Sequence, residues 1–292
     1  MIQVRPHEFM VKHTPQTEWI SGRGVLVWLA FAFIELGAGT FLVASFSGSL
    51  PGMLAGWLIC GIIGGGLHLL YLGRPLRFWR ILASSGWKTS WLARGLYFVV
   101  FFLVLGAVYM LLARGGTPPV GLMVITNVFA FLAIIYLGFV MSSVNGIALW
   151  NTPLLAVLYA VLGIWGGAGV NLLLGTAPAV KGWVNLFLAS YAFILGVYLV
   201  CIRYQGGTAG KVSVRQIIAG KWAPLFWVVS FILGIAFPGV IGLTGWVTGL
   251  QVPEAIVSLS IAGELLGDLA LRYCILRSAL YSPVIPGPGY SS

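Results

Sequence analysis

Charge is what this sequence has least of. Only 8% of its 292 residues are Asp, Glu, Lys or Arg, against roughly 25% in a soluble globular domain. Six residues are acidic and three are histidine. Meanwhile 60% are hydrophobic, and the mean hydropathy is +1.01. No soluble fold can hide that much apolar surface. Long apolar runs satisfy their backbone within a bilayer as helices, so the fold class read here is an all-α integral membrane protein.

Cysteine is scarce too. Cys60, Cys201 and Cys274 form no CxxC pair, and each lies in or near an apolar run. That excludes a disulfide framework and an iron–sulfur cluster held by this chain. The three read as small buried hydrophobes. The shortage of histidine argues against haem, which in a helical bundle takes two axial side chains. Only His68 sits in an apolar run, while His7 and His13 lie in the polar N-terminal segment. No His, Cys and carboxylate set has ligand spacing, so no metal site is expected. Neither a phosphate-binding glycine loop nor a nucleophile elbow occurs. The chain is therefore assigned no catalytic residue of its own.

What is abundant is apolar length. Eight hydrophobic spans are predicted, at about 25–46, 52–72, 92–112, 120–144, 153–174, 184–202, 222–241 and 255–276, each near the ~20 residues that a bilayer requires. The organisation is a polar N-terminal segment (1–24), a membrane domain (25–276) and a C-terminal tail (277–292). The N-terminal segment is mixed and polar, unlike a cleavable signal peptide. Twelve tryptophans and eleven tyrosines suit interfacial belts. The 40 glycines suit close helix packing. Gly52, Gly56, Cys60 and Gly64 recur every fourth residue, which predicts a small-residue stripe, and His68 is its next position. Gly163 and Gly167 form a similar pair in the fifth span.

The net charge of +10 lies in the loops, a pattern of topology and lipid headgroup contact rather than of nucleic-acid binding. The termini, the second and sixth loops and the adjoining span ends hold 14 of the 16 Lys and Arg, and the other face has only Arg114 and Lys181. The positive-inside rule then places both termini in the cytoplasm. The same basic face also suits docking of an acidic partner.

A charge at the bilayer centre costs about 2.5–3.5 kcal/mol on insertion scales, so ionisable residues within spans are functional candidates. Glu35 lies in the middle of the first span. His68 is near the basic end of the second, and Tyr136 is in the basic-side half of the fourth. Glu264, Asp268 and Arg272 share one face of the eighth at i, i+4 spacing. Each also has a plainer reading. Asp268 and Arg272 could be an intrahelical ion pair, His68 a packing residue and Tyr136 an interfacial tyrosine. Glu35 must be protonated or paired. The cations and tryptophans of the 73–94 loop read mainly as interfacial anchoring.

Three separated segments resemble one family. His68–Leu82 reads HLLYLGRPLRFWRIL, Tyr136-Leu137-Gly138 precedes a WNTPLL stretch from Trp150 to Leu155, and Ala262–Tyr273 reads AGELLGDLALRY. In order and spacing these are similar to the NrfD/PsrC family of membrane subunits of respiratory oxidoreductases, with DmsC-type anchors more distant. The resemblance implies eight helices in two four-helix bundles, without haem, in a bacterial or archaeal cytoplasmic membrane. It implies a quinone site, for menaquinone or ubiquinone, near one face. It also implies two partners: a four-cluster ferredoxin-like iron–sulfur subunit and a molybdenum or tungsten bis-pterin catalytic subunit. Carried over by position, His68, Arg74, Tyr136, Trp150 and Asn151 would bind quinone. Where the polysulfide reductase branch has contacting Asn and His in the first helix, this chain has Val27 and Ala30.

The function expected is a quinone-interacting membrane anchor that exchanges electrons with the iron–sulfur partner, with Glu35, Glu264, Asp268 and Arg272 carrying protons. The alternatives are a proton-translocating subunit of a larger respiratory complex and a purely structural anchor.

Overall fold

A computed structural model of the chain describes residues 8–249 and 252–284. His7, the start of the N-terminal segment and the tail beyond 284 lie outside the described residues. The described chain is helical throughout, apart from two short strands. The long helices are α1 (Gly24–Phe46), α2 (Leu50–Tyr71), α3 (Trp91–Gly115), α4 (Val120–Ser142), α5 (Pro153–Leu173), α6 (Lys181–Gln205), α7 (Gly207–Ile218), α8 (Leu225–Thr248) and α9 (Glu254–Arg277). Among the described residues seven helices are long and apolar enough to cross a bilayer, namely α1 to α6 and α8. The protein is thus a multi-pass membrane protein. The eighth expected span, α9, has the length but carries Glu254, Glu264, Asp268, Arg272 and Arg277.

Local sequence signals mark where three of these helices begin. Ser49, Ser90 and Thr152 are N-caps whose hydroxyls accept from Gly52, Ala93 and Leu154 backbone N–H groups. Two helices are wound wider along part of their length, α2 over Ile59–Gly64 and α8 over Leu225–Ala236. In α8 the wide stretch runs up to Pro238, which has no N–H to offer the carbonyl a turn before it.

The 203–221 segment, expected as a polar loop, contains α7. The reason is amphipathicity. Ala209, Gly210, Ser213, Val214 and Ile217 are buried on one face, and Lys211 and Arg215 are exposed on the other.

α1 is the central helix and packs on α2, α4 and α5. Glycine makes these crossings close. A Cβ on Gly39 would collide with the Gly163 carbonyl oxygen, and one on Gly37 with the Cys60 nitrogen. The small-residue stripe of α2 does meet a neighbour: Gly56 faces Phe41, Cys60 is fully buried and Gly64 faces Ile34. Asn171 adds a polar tie. Its Nδ2 donates to the carbonyls of Thr40 (2.9 Å) and Gly167 (2.8 Å), while its Oδ1 accepts from Thr176 (2.7 Å).

The two ends of the described chain meet. β1 (Thr14–Pro15) pairs antiparallel with β2 (Leu280–Tyr281), Thr14 opposite Tyr281. Arg277 Nη1 donates to Ser21 Oγ at 3.1 Å. Ser282 N donates to the Gly146 carbonyl, so the α4–α5 connection lies at the same end of the molecule.

Candidate functional site

α2 and α3 pack along the Leu50–Leu58 half of α2, where Trp57 Nε1 donates to the Leu103 carbonyl at 2.8 Å. Between their other halves lies a cavity of about 360 Å³. Gly61, Gly65, His68 and Leu69 of α2 form one wall, and Leu92, Leu96 and Val99 of α3 form another. Phe31 and Val27 of α1, Tyr136 of α4 and Trp19 of the N-terminal segment close it. The lining is apolar and aromatic with few polar atoms, the usual character of a small-molecule pocket.

Two of those polar groups are His68 and Tyr136. Phe31 stands between them, edge-on to His68 (centroids 5.5 Å) and to Tyr136 (5.6 Å). His68 Nδ1 is buried and has no hydrogen-bond partner among the described residues. The Tyr136 hydroxyl makes no hydrogen bond among the described residues, although the side chain is 3% exposed. Its ring is seated by a glycine, since a Cβ on Gly95 would run into the Tyr136 ring. Buried polar groups without partners inside a cavity are what a ligand's polar atoms would complete.

A second polar group lies behind Phe31. Arg272 Nη2 is 2.5 Å from Glu35 Oε2, and its Nε donates to Asp268 Oδ1 at 2.7 Å. Glu35 is 1% and Arg272 2% exposed. The guanidinium also lies over the Tyr159 ring, 4.6 Å from its centroid. A buried charge needs such pairing, and here one cation meets two carboxylates. The intrahelical pair expected of Asp268 and Arg272 is present, and it reaches across to α1. Glu264, one turn back on α9, is 2% exposed and packs beside Gly169 of α5, with Oε2 unpartnered among the described residues. Phe31, Val27 and Trp19 line both the large cavity and a crevice of about 10 Å³ against Arg272. They form the partition between the two polar groups.

The sequence candidates therefore fall into three sets. His68 and Tyr136 share the cavity. Glu35, Asp268 and Arg272 form the ion cluster, buried at Glu35 and Arg272 and partly exposed at Asp268, with Glu264 beside it. Arg74, Trp150 and Asn151 are elsewhere. Arg74 and Asn151 are exposed. Trp150 is buried, donating from Nε1 to the Ile275 carbonyl at 3.3 Å and packing on Trp19 at 5.3 Å. Its place ties the α4–α5 connection to the end of α9. Val27 lines the cavity, and Ala30 is buried.

Sequence reasoning missed Phe31, Trp19, Tyr159 and Gly95. Phe31 is one turn before Glu35 on α1, a spacing that could have drawn attention to it. The other three carry no signal of their own, since what they do depends on helices brought together by the fold.

The fold and the site define a multi-pass helical membrane protein with an aromatic-walled cavity between its helices and a charged cluster behind it. A family model described as "Polysulphide reductase, NrfD" matches residues 13–283, so the chain belongs to that family. It is 32% identical to the C subunit of polysulfide reductase from Wolinella succinogenes, over 76% of this protein and 80% of that one. It is 26% identical to protein NrfD of Escherichia coli, over 76% and 78%. A NrfD homolog of Haemophilus influenzae is 24% identical over 90% and 95%.

Proposed function

We propose that this chain is the quinone-interacting membrane anchor of a respiratory oxidoreductase. It would exchange electrons between the quinone pool and an iron–sulfur partner subunit of a molybdenum or tungsten enzyme. The observation that carries the reading is the cavity between α2 and α3, where His68 and Tyr136 flank Phe31. Its residues fit a quinone. Aromatic and aliphatic walls suit a flat ring and an isoprenoid tail, and His68 Nδ1 and the Tyr136 hydroxyl are unpaired groups suited to the ring oxygens. A bound quinone supplies two-electron, two-proton redox chemistry. In this reading His68 and Tyr136 hold and orient the headgroup, Phe31 packs against it, and Glu35, Asp268 and Arg272 hold charge behind that wall. Menaquinone and ubiquinone would both be accommodated.

The reading takes α9 as an eighth crossing. The pairing of β1 with β2 supports it, because chain ends that meet on one side require an even number of crossings. Two groups of four helices follow, α1–α4 and α5, α6, α8 and α9, joined where α1 packs on α5. The basic termini and loops would face the cytoplasm of a bacterial or archaeal cell.

A second reading, a proton-translocating subunit, is favoured by one observation: the Glu35–Arg272 pair is buried between α1 and α9, with the partly exposed Asp268 and the buried Glu264 beside it. One experiment separates the two. The tagged chain is purified in mild detergent, and its co-purifying proteins and extracted quinone are identified by mass spectrometry. Recovery of an iron–sulfur subunit, a pterin enzyme and quinone is the expected result. Purification without quinone, among pump-like membrane subunits, would favour the second reading.

A further inference from the structure

The α2–α3 seam has a second opening at its other end. Leu54 and Trp57 of α2 face Met110 and Leu111 of α3 across a groove of about 390 Å³, and Arg114 stands at its edge. The Trp57 indole N–H is committed to the Leu103 carbonyl. Leu54 and Leu111 are 40% and 66% exposed, so the groove opens sideways, toward lipid in a membrane-embedded chain.

Arg114 is unusual for its place. It lies in the last turn of α3, on the face that holds only two of the 16 Lys and Arg. Topology gives no reason for a cation there. Among the described residues it has no ion pair or hydrogen bond. The helix dipole favours a cation at this end of α3, but the dipole accounts for only one of the two. The other, Lys181, is the first residue of α6, and it too adjoins a lateral apolar groove, of about 450 Å³, lined by Val180 and Trp183. On this face each cation stands beside an apolar groove. An unpaired cation at the rim of a groove open to lipid complements an amphiphile with an anionic head.

We propose that the Arg114 groove binds a phospholipid of net negative headgroup from the leaflet on that face. The acyl chain lies along Leu54, Trp57 and Met110, and the phosphate pairs with the guanidinium. This site is separate from the His68 and Tyr136 cavity and does not depend on what that cavity binds.

The test is native mass spectrometry of the full-length protein with its co-purifying subunits. Delipidated samples are titrated with phosphatidylglycerol or with phosphatidylcholine of matched chains. The wild type is expected to prefer phosphatidylglycerol about fivefold at one saturable site, as a single surface cation allows. Arg114→Gln abolishes that preference. Leu54→Trp fills the groove and removes the bound lipid of either kind, with Leu111→Phe as a second filling variant. Lys88→Gln, on the opposite face, changes neither. Equal affinity for the two lipids in the wild type, or a preference unchanged in Arg114→Gln, overturns the proposal. Release of quinone or of a protein subunit, rather than phospholipid, by the filling variants also overturns it.

Discussion

At the scale of single residues, the cavity and the ion cluster make different demands. Tyr136 is held by packing, with Gly95 and Phe31 on either side, and its hydroxyl has no part in that packing. Tyr136→Phe keeps the ring and removes one hydrogen-bonding group. On the quinone reading proposed above, the expected result is a fall of roughly five- to tenfold in quinol turnover, the worth of about one hydrogen bond, with an unchanged melting temperature. Unchanged turnover in the assembled complex would take Tyr136 out of the site. Arg272 is the opposite case, because its charge is part of the packing. Arg272→Met leaves the buried Glu35 without its cation and Asp268 without its partner, and is expected to cost about 3–5 kcal/mol. Adding Glu35→Gln should recover part of that loss, since one orphaned charge is then gone. Thermal unfolding in detergent of the two single variants and the double measures this coupling. Strict additivity would mean that the 2.5 Å approach of Arg272 to Glu35 contributes nothing.

At the scale of helices, backbone proximity decides what α1 tolerates. Gly39→Ala would push a methyl group into the Gly163 carbonyl of α5, backbone against backbone, with no flexible side chain to yield. The expected loss is at least the ~1–3 kcal/mol of an overpacked core. Gly66→Ala on α2 meets nothing within 4 Å and should gain up to about 1 kcal/mol from helix propensity. The two variants form a matched pair for a melting experiment. A Gly39→Ala protein as stable as the wild type would show that the α1–α5 crossing is looser than its geometry. The stripe Gly52, Gly56, Cys60, Gly64 was legible in the sequence because a period of four is a face of a helix. Its partner was not, since Gly37, the glycine of α1 that meets Gly56 and Cys60, belongs to no such period.

At the scale of the whole molecule, the meeting of β1 with β2 constrains topology more than hydropathy does. Strands at residues 14 and 280 can pair only if the chain crosses the bilayer an even number of times between them. Seven of the described helices qualify on apolarity alone, so on the reading proposed above α9, with five charged residues, supplies the eighth crossing. Reporter fusions test this. A fluorescent protein at either terminus should fluoresce as a cytoplasmic fusion does, and alkaline phosphatase joined after Gly116 should be active. Opposite signals from the two termini would remove α9 from the bilayer. The same scale explains how a span with this composition is tolerated. Asp268 and Arg272 neutralise each other along α9, and Glu35 of α1 joins them, so the charges face protein rather than lipid.

The sequence by itself determined the membrane class, the run of apolar spans, the asymmetry of charge between the two faces and the family. These follow from composition and local periodicity, properties that a chain carries wherever it is. It also marked the candidate residues, because an ionisable group in an apolar run is conspicuous without any structure. Which of them meet was decided by the tertiary structure alone. His68 and Tyr136 are 68 residues apart and Glu35 and Arg272 are 237 apart, and only the packing of α1 against its neighbours brings each pair together. Trp150 and Asn151 lay within a motif as recognisable as that around His68, yet the fold turned one into a tie between the α4–α5 connection and the end of α9 and left the other at the surface. A motif records that a position is constrained, and the direction in which its side chain points is set by helices distant in the chain.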